Sequence, residues 1–447
     1  MRPGVRHGPP APSFTAVPAA PVPPSSPLAP MAPAVSPHPR GAPILASRKR
    51  RTALRDLPRV CGHISITDRT EGVFRLVYAR YAAAEPAPGT GARTKESRSM
   101  RRVSRFAVAG AAAAALAVTV SACGSSSTES AGSGKSKGIG LAYDVGGKGD
   151  QSFNDAAYAG FQKAEKDFGV GGRDIEPQDG ESDADKVQRL ETLAKSGYNP
   201  VIGVGFAYAP AVKQVAAKYP KISFGIIDDN TIKAKNVADM VFHEEQSSYL
   251  AGIAAAKTTK KNHIGFIGGV DIPLIHKFEA GFLQGAKSVN PKIKIESQYL
   301  TQTPQEGGFS SPDKGENAAN GQIDAGADVI YHAAGLSGQG VIKAAAAHKV
   351  WAIGVDSDQY EQSALSAYKD YILTSALKNV SGAVYDLTKS VLKDHKPLSG
   401  EVRGSLDNGG VGLSDTNPVF KNNADLQAAL KKAEQGIKDG TIKVNAS

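Results

Sequence analysis

The chain has 447 residues, with 53 Lys and Arg against 43 Asp and Glu, a formal charge of +10. That length is a soft prior for two or three domains. The positive balance gives no argument for a nucleic-acid partner. Residues 1–99 hold 15 Lys and Arg against 5 Asp and Glu, whereas beyond Cys123 the count is 35 against 38. The two cysteines, Cys61 and Cys123, form no CxxC pair or Cys/His cluster. No thiol lies beyond Cys123, which excludes a disulfide framework and a thiol nucleophile there.

Residues 1–40 contain 13 prolines among small residues, a composition that cannot bury a core and reads as disordered. Residues 41–99 are Arg-rich, with one short apolar patch at Gly72–Tyr81. Met100 then opens a basic segment, Met-Arg-Arg-Val-Ser-Arg, followed by an apolar run from Phe106 and the ending Val120-Ser-Ala-Cys123-Gly. This is the layout of a signal peptide over 100–122. Its apolar run, Phe106–Ala122, is shorter than the roughly 20 residues a spanning helix needs. The ending resembles the lipobox of bacterial lipoproteins, which implies lipidation at Cys123; the alternative is a plain membrane anchor with a chance cysteine. An export signal works at a chain start, so we expect translation from Met100, with 1–99 an over-extended reading frame. Residues 123–137 read as a Ser/Gly tether. The Gly132-Ser-Gly-Lys-Ser136 stretch lacks the first glycine and the preceding strand of a phosphate loop.

From Gly138 the text alternates between strand and helix. Gly138–Tyr143 reads as a buried strand ending at Asp144. A loop with Gly146, Gly147 and Gly149 follows, then a helix with apolar positions Phe153, Ala157, Phe161, Ala164 and Phe168. Further candidate strands are Asn199–Val204, Ile222–Ile227, Val237–Phe242, His263–Ile267, Ile293–Leu300, Asp328–His332, Val350–Gly354 and Tyr371–Ser375. Amphipathic helices, among them Asp183–Ser196 and Ser247–Lys257, fill most of the intervals. Such alternation argues an α/β fold with parallel sheets. Two doubly wound lobes of about five strands each fit the count, with 138–243 in lobe 1 and 244–375 in lobe 2. The chain would return to lobe 1 near 376–400, and part of 401–447 would close lobe 2, with short strands near Glu401–Leu413 and a final helix at Asn423–Lys438. Two lobes make a cleft, where a small ligand sits.

No catalytic constellation is present, so we expect no enzyme, no cofactor and no metal. G-x-S-x-G is absent, and His243-Glu-Glu lacks the second His of a zinc motif. Gly335-Leu-Ser-Gly338-Gln-Gly340 departs from the dinucleotide spacing and reads as a glycine loop that offers backbone N–H groups to a polar ligand. The remaining polar candidates stand at strand carboxyl ends: Asp144, Asp228-Asp229, Asp356-Ser-Asp358 and Lys378. Singly, each could be a helix cap or a solvated charge. Together they suit vicinal hydroxyls, and Phe153 beside Asn154 suits a planar group.

These blocks resemble the basic membrane protein family of bacterial lipoproteins, the purine-nucleoside-binding components of ABC importers. The similarity runs through Asp144-Val-Gly-Gly…Ser152-Phe-Asn, Gly203-Val-Gly-Phe206, Ile264-Gly-Phe-Ile-Gly-Gly-Val-Asp271-Ile-Pro, Tyr331-His-Ala-Ala-Gly335-Leu-Ser-Gly338 and Ala352-Ile-Gly-Val-Asp356-Ser-Asp358-Gln359. The resemblance implies a type I periplasmic-binding-protein fold with a hinge, a lipid anchor outside the cytoplasm, and a monomer serving an ABC permease and ATPase. It also implies roles: Phe153 and Phe309 stacking on the base, Asp144 and Asn154 at polar edges of the ligand, Asp356 and Lys378 on the ribose hydroxyls, and Asp228 with Phe206 lining the same cleft. A sugar or signalling-ligand receptor on the same fold, or a nucleoside-sensing lipoprotein, is the alternative.

Overall fold

The computed structural model describes residues 136–178 and 180–447. The signal peptide, Cys123 and the expectations for 1–99 lie outside the described residues. Within them lie twelve strands and ten helices. The first series is β1 (Gly138–Ala142), α1 (Phe153–Phe168), β2 (Gly171–Ile175), α2 (Asp183–Lys195), β3 (Val201–Gly203), α3 (Ala209–Lys218), β4 (Phe224–Ile227) and β5 (Val237–Phe242). The second is α4 (Glu244–Thr258), β6 (His263–Val270), α5 (Pro273–Val289), β7 (Lys294–Thr301), α6 (Pro312–Asp324), β8 (Val329–Ala333), α7 (Gly338–His348), β9 (Trp351–Asp356) and β10 (Ile372–Lys378). After α8 (Val380–Leu392) come β11 (Gly400–Gly404), β12 (Val411–Leu413), α9 (Pro418–Lys421) and α10 (Ala424–Lys438).

The strands form two six-stranded sheets with the same winding. The first runs β2-β1-β3-β4-β5-β11 and the second β7-β6-β8-β9-β10-β12. Every pairing is parallel except β10 with β12, which is antiparallel. The matching order makes β4 and β9 equivalent, and likewise β3 and β8. Central strands buried on both faces require continuous apolar runs, and β1, β4, β6 and β8 are buried throughout. The chain crosses between the sheets three times, after β5, after β10 and between β11 and β12.

Two elements depart from the sequence expectations. Strand β2 reads Gly-Gly-Arg-Asp-Ile and has no apolar run, because it is a sheet edge with no fully buried residue. Helix α4 is not amphipathic: residues Glu244, Glu245 and Ser247–Ala255 are all buried. It is covered by α5 and α10 as well as by the second sheet. The α4–α5 contact is backbone on backbone. A Cβ added at Gly285 would stand 1.9 Å from the Tyr249 carbonyl oxygen, and one at Gly252 would stand 2.1 Å from that of Phe282.

Candidate functional site

The carboxyl ends of both sheets border one cavity. On open α/β sheets this edge, at the point where strand order reverses, is the ligand edge. The first lobe contributes Asp144 and Val145 after β1, Gly205 and Phe206 after β3, Asp228 after β4, and Asp150, Phe153 and Asn154 at the start of α1. The second contributes Ala333 at the end of β8 and Gly335 just after it, Val355 and Asp356 at the end of β9, Lys378 at the end of β10, and Phe309. Leu274, Ile275 and Phe278 from the first turns of α5 complete the wall. All nine cleft residues expected from the sequence therefore line this space. Its volume is only about 60 Å³, so the walls stand close together.

Lys378 is the hub. It is 3% exposed. Its ammonium donates to Asp228 Oδ2 at 2.6 Å and stands 3.6 Å from Glu244 Oε1. It also lies 4.8 Å from the centre of the Phe153 ring, within cation–π range. Burial by itself would discharge this ammonium, but Asp228, Glu244 and Asp356 outweigh it and raise its pKa. Burial raises Asp228 and Asp356 in turn, with Lys378 pulling both back down. The ammonium stays charged, and three carboxyl groups share it.

Each of those carboxyl groups keeps an oxygen without a hydrogen bond, and two of the three, Asp228 and Asp356, line the cavity. Asp228 Oδ1 and Asp356 Oδ1 are buried with no hydrogen-bond partner, an arrangement that is costly unless something else donates to them. Both residues also hold the left-handed backbone, at φ 68° and 63°. Asp tolerates that region better than most residues. Its recurrence at equivalent strand ends aims each carboxyl group off the sheet edge. Strain of this kind concentrates at functional sites.

The first lobe presents a second acidic pair. Asp144 and Asp150 are almost wholly buried, and burial pushes both up to about 7. Asp144 Oδ1 accepts the Val145 N–H at 2.8 Å. Asp150 accepts the N–H groups of Ser152, Asn154 and Asp155, capping α1 from two residues upstream of the helix's own Ser152 cap position. Asn154 is spent on this frame: its Oδ1 accepts the Asp144 N–H at 3.1 Å and its Nδ2 donates to Asp150 Oδ2 at 3.1 Å. It lines the cavity while fixing Asp144. Gly205, at φ 95°, allows the second lobe-1 loop to approach; a Cβ there would stand 2.0 Å from Asp144 Oδ2.

On the opposite side, the Phe309 ring lies against Gly269 of β6, where a Cβ would stand 2.4 Å from it. Gly335 takes φ 53° next to the Phe309 carbonyl. Asp229 and Asp358, the neighbours of two cleft carboxylates, do not reach the cavity. Asp229 accepts from the Thr231 N–H and hydroxyl, and Asp358 accepts from Thr416 at 2.7 Å. Among the described residues, no group of three His, Cys, Asp or Glu could hold a metal ion, and no helix is long and apolar enough to cross a membrane.

Residues 139–447 match the family model Bmp, described as ABC transporter substrate-binding protein PnrA-like. The chain belongs to the Bmp family. It is 37% identical over 319 residues to the "CD4+ T-cell-stimulating antigen" of Listeria monocytogenes, covering 68% of this chain and 87% of that one. It is 35% identical over 320 residues to the "ABC transporter nucleoside-binding protein BmpA" of Lactococcus lactis, with 68% and 88% covered. Among solved structures it is similar to the ABC transporter solute-binding protein of Aeropyrum pernix, at 27% identity and a TM-score of 0.61, covering 69% of this chain and 93% of that one. The fold is thus that of the solute-binding proteins, and the Bmp family is one of substrate-binding proteins rather than enzymes.

Several cavity-side groups escape sequence reading. Glu244 reads as half of an incomplete zinc motif, yet it is 1% exposed and held by Lys378 and by Lys277 at 3.1 Å. Asp150 and Ser152 look like ordinary helix-start residues. The Ser152 hydroxyl in fact donates to Asp356 Oδ2 at 2.8 Å, across the cleft. Leu274 and Ile275 look like any helix start of apolar character.

Proposed function

We propose that the cavity binds a nucleoside, most of all a purine nucleoside, and that the chain is the extracytoplasmic receptor that hands it to an ABC permease with its ATPase. The observation that carries this reading is the pairing of two unpartnered carboxylate oxygens, Asp228 Oδ1 and Asp356 Oδ1, around one buried ammonium whose neighbour is the Phe153 ring. Two acceptors and a donor grip vicinal hydroxyls, and the aromatic face takes the attached flat base. The narrow cavity suits a planar group between Phe153 and Phe309, with Asp144 on the polar edge of the base. Phe206 and Gly335 close the space around it. The nucleoside-binding name of the Lactococcus relative supports the same ligand class.

The energetics suffice. Base–aromatic stacking contributes roughly 1–3 kcal/mol per face, and hydrogen bonds to charged groups roughly 1.5–3 kcal/mol each. Micromolar affinity needs about 8 kcal/mol, which leaves a margin for ordering. We further propose a lipid anchor at Cys123, a position outside the cytoplasm, and action as a monomer. Relatives named as lipoproteins and basic membrane proteins support the anchor.

Calorimetry of the full chain with adenosine, guanosine, inosine, uridine and cytidine, and with free ribose and free adenine, tests the reading. It expects saturable heat with at least one purine nucleoside and none with ribose or base alone at the same concentration. Silence from every nucleoside, or equal binding of free ribose, overturns it.

A further inference from the structure

The loop that joins β1 to α1 is held across the cleft through its backbone. Three of its carbonyl oxygens accept from second-lobe side chains. Gln339 Nε2 donates to Gly149 O at 2.6 Å, Gln359 Nε2 to Gln151 O at 3.1 Å, and Ser357 Oγ to Ser152 O at 2.8 Å. The loop answers with one side chain, the Ser152 hydroxyl on Asp356 Oδ2.

Gln359 differs from the other two donors. It is fully buried, whereas Gln339 and Ser357 are half-buried. Its amide is oriented entirely by its own lobe. Oε1 accepts the Val355 N–H at 3.1 Å and takes a bond of 3.0 Å from His332 Nε2, and its backbone N–H donates to Ser375 Oγ at 3.0 Å. Burial lowers the pKa of His332 to about 4, so the imidazole is neutral at neutral pH. With Oε1 committed on the lobe-2 side, the Nε2 donor of Gln359 has to face the other lobe. There Gln151 is equally prepared: it holds the left-handed backbone at φ 56°, with its N–H and its side-chain amide both donating to Asp155 Oδ2. A residue kept in that conformation turns its carbonyl outward at a cost its surroundings must cover.

We propose that Gln359 is the positioning residue of an interlobe latch that ties closure of the two lobes to retention of the ligand. The proposal rests on the ligand-binding reading above for its link to retention. When the Gly149–Ser152 loop docks on Gln359, it carries Ser152 to Asp356 and leaves Oδ1 as that carboxyl group's free acceptor. It also seats Phe153, the next residue, against the Lys378 ammonium. Opening the latch releases the loop and removes both constraints at once. Gln359 touches no part of the cavity itself, so its effect is on how long the closed state lasts rather than on what fits inside.

The test uses the full chain with Cys61→Ser and Cys123→Ser, and a fluorophore pair at Lys213→Cys on α3 and Ala347→Cys on α7, both exposed. Lobe closure is read as interdye distance, with adenosine as the probe ligand. Gln359→Met keeps the side-chain length and removes the donor. We expect a smaller closed fraction with adenosine, dissociation about tenfold faster, and an association rate within twofold of the parent. A variant that merely loosened the fold would instead lower the melting temperature and both rates' amplitudes together. Should Gln359→Met fail to fold, the Gln339→Ala/Ser357→Ala double variant, which alters only half-buried donors, carries the test with the same expected direction. Closed fraction and dissociation rate unchanged in the folded variants overturn the latch. If adenosine gives no response in the parent, guanosine, inosine, uridine and cytidine take its place; silence from all of them overturns the nucleoside reading instead, and the latch is then judged on the ligand-free distances. There, a parent with no closed population, or one that the variants leave unchanged, overturns it.

Discussion

Asp356→Asn isolates the charge on one cavity acceptor with little else disturbed. At φ 63° Asn is as well tolerated as Asp, whereas Ala would add a left-handed backbone penalty of roughly 1–2 kcal/mol. The amide also keeps an oxygen for the Ser152 hydroxyl, which stands 2.8 Å from Oδ2 in the parent. Lys378 loses one of its three carboxyl neighbours but retains Asp228 at 2.6 Å. What changes is the strength of a ligand hydroxyl's bond to the free oxygen. A hydrogen bond to a charged group contributes roughly 1.5–3 kcal/mol and one to a neutral group roughly 0.5–1.5 kcal/mol. The expected loss is therefore about 1–2 kcal/mol, a weakening of roughly 5- to 30-fold. Calorimetry with inosine and with its 2′-deoxy and 3′-deoxy analogues measures it. The parent should discriminate against at least one deoxy form, and Asp356→Asn should shrink that discrimination. Unchanged affinity, or equal loss for inosine and both deoxy analogues, would refute the reasoning.

Three other outcomes follow from the same geometry. Phe153→Ala should weaken nucleoside binding by about 1–3 kcal/mol through lost stacking, with Phe153→Leu intermediate; calorimetry on both variants checks the order. Burial raises Asp144 from 3.8 to about 7, so the folded state binds the extra proton between those values and loses stability as pH rises through that window. Asp144→Asn should therefore gain on the parent between pH 4 and 7 and level off above it, as read by denaturant midpoints across that range. Gly285→Ala would place a Cβ 1.9 Å from the Tyr249 carbonyl oxygen. It should destabilise the α4–α5 contact by roughly 1–3 kcal/mol, visible as a lower melting temperature.

The legible parts of the molecule are those written in contiguous text. Asp144, Phe153 and Asn154 fall within eleven residues, on a strand, a glycine loop and a helix start, and their placement follows from local rules alone. Asp228, Asp356 and Lys378 are distant in sequence, but each closes an apolar strand run, and the carboxyl edge of a parallel sheet is one place. The rest depends on partners the sequence does not bring near. Glu244 is buried because Lys378, 134 positions later, neutralises it. Gln359 is buried because His332 and Val355 satisfy its amide. Ser152 looks like a helix cap until Asp356 is placed opposite. Strand β2 carries no apolar signal because an edge strand does not need one. The polar chemistry of Asn154 was legible as a residue at the cleft, but its commitment to the Asp144 N–H and to Asp150 was not.

The most direct test of the central claim is a crystal structure with a purine nucleoside bound. The expected result is a base between Phe153 and Phe309 and ribose hydroxyls within hydrogen-bond distance of Asp228 Oδ1, Asp356 Oδ1 and Lys378 Nζ. A ligand seated outside this cavity, or one whose sugar leaves both carboxylate oxygens unpartnered, would contradict it.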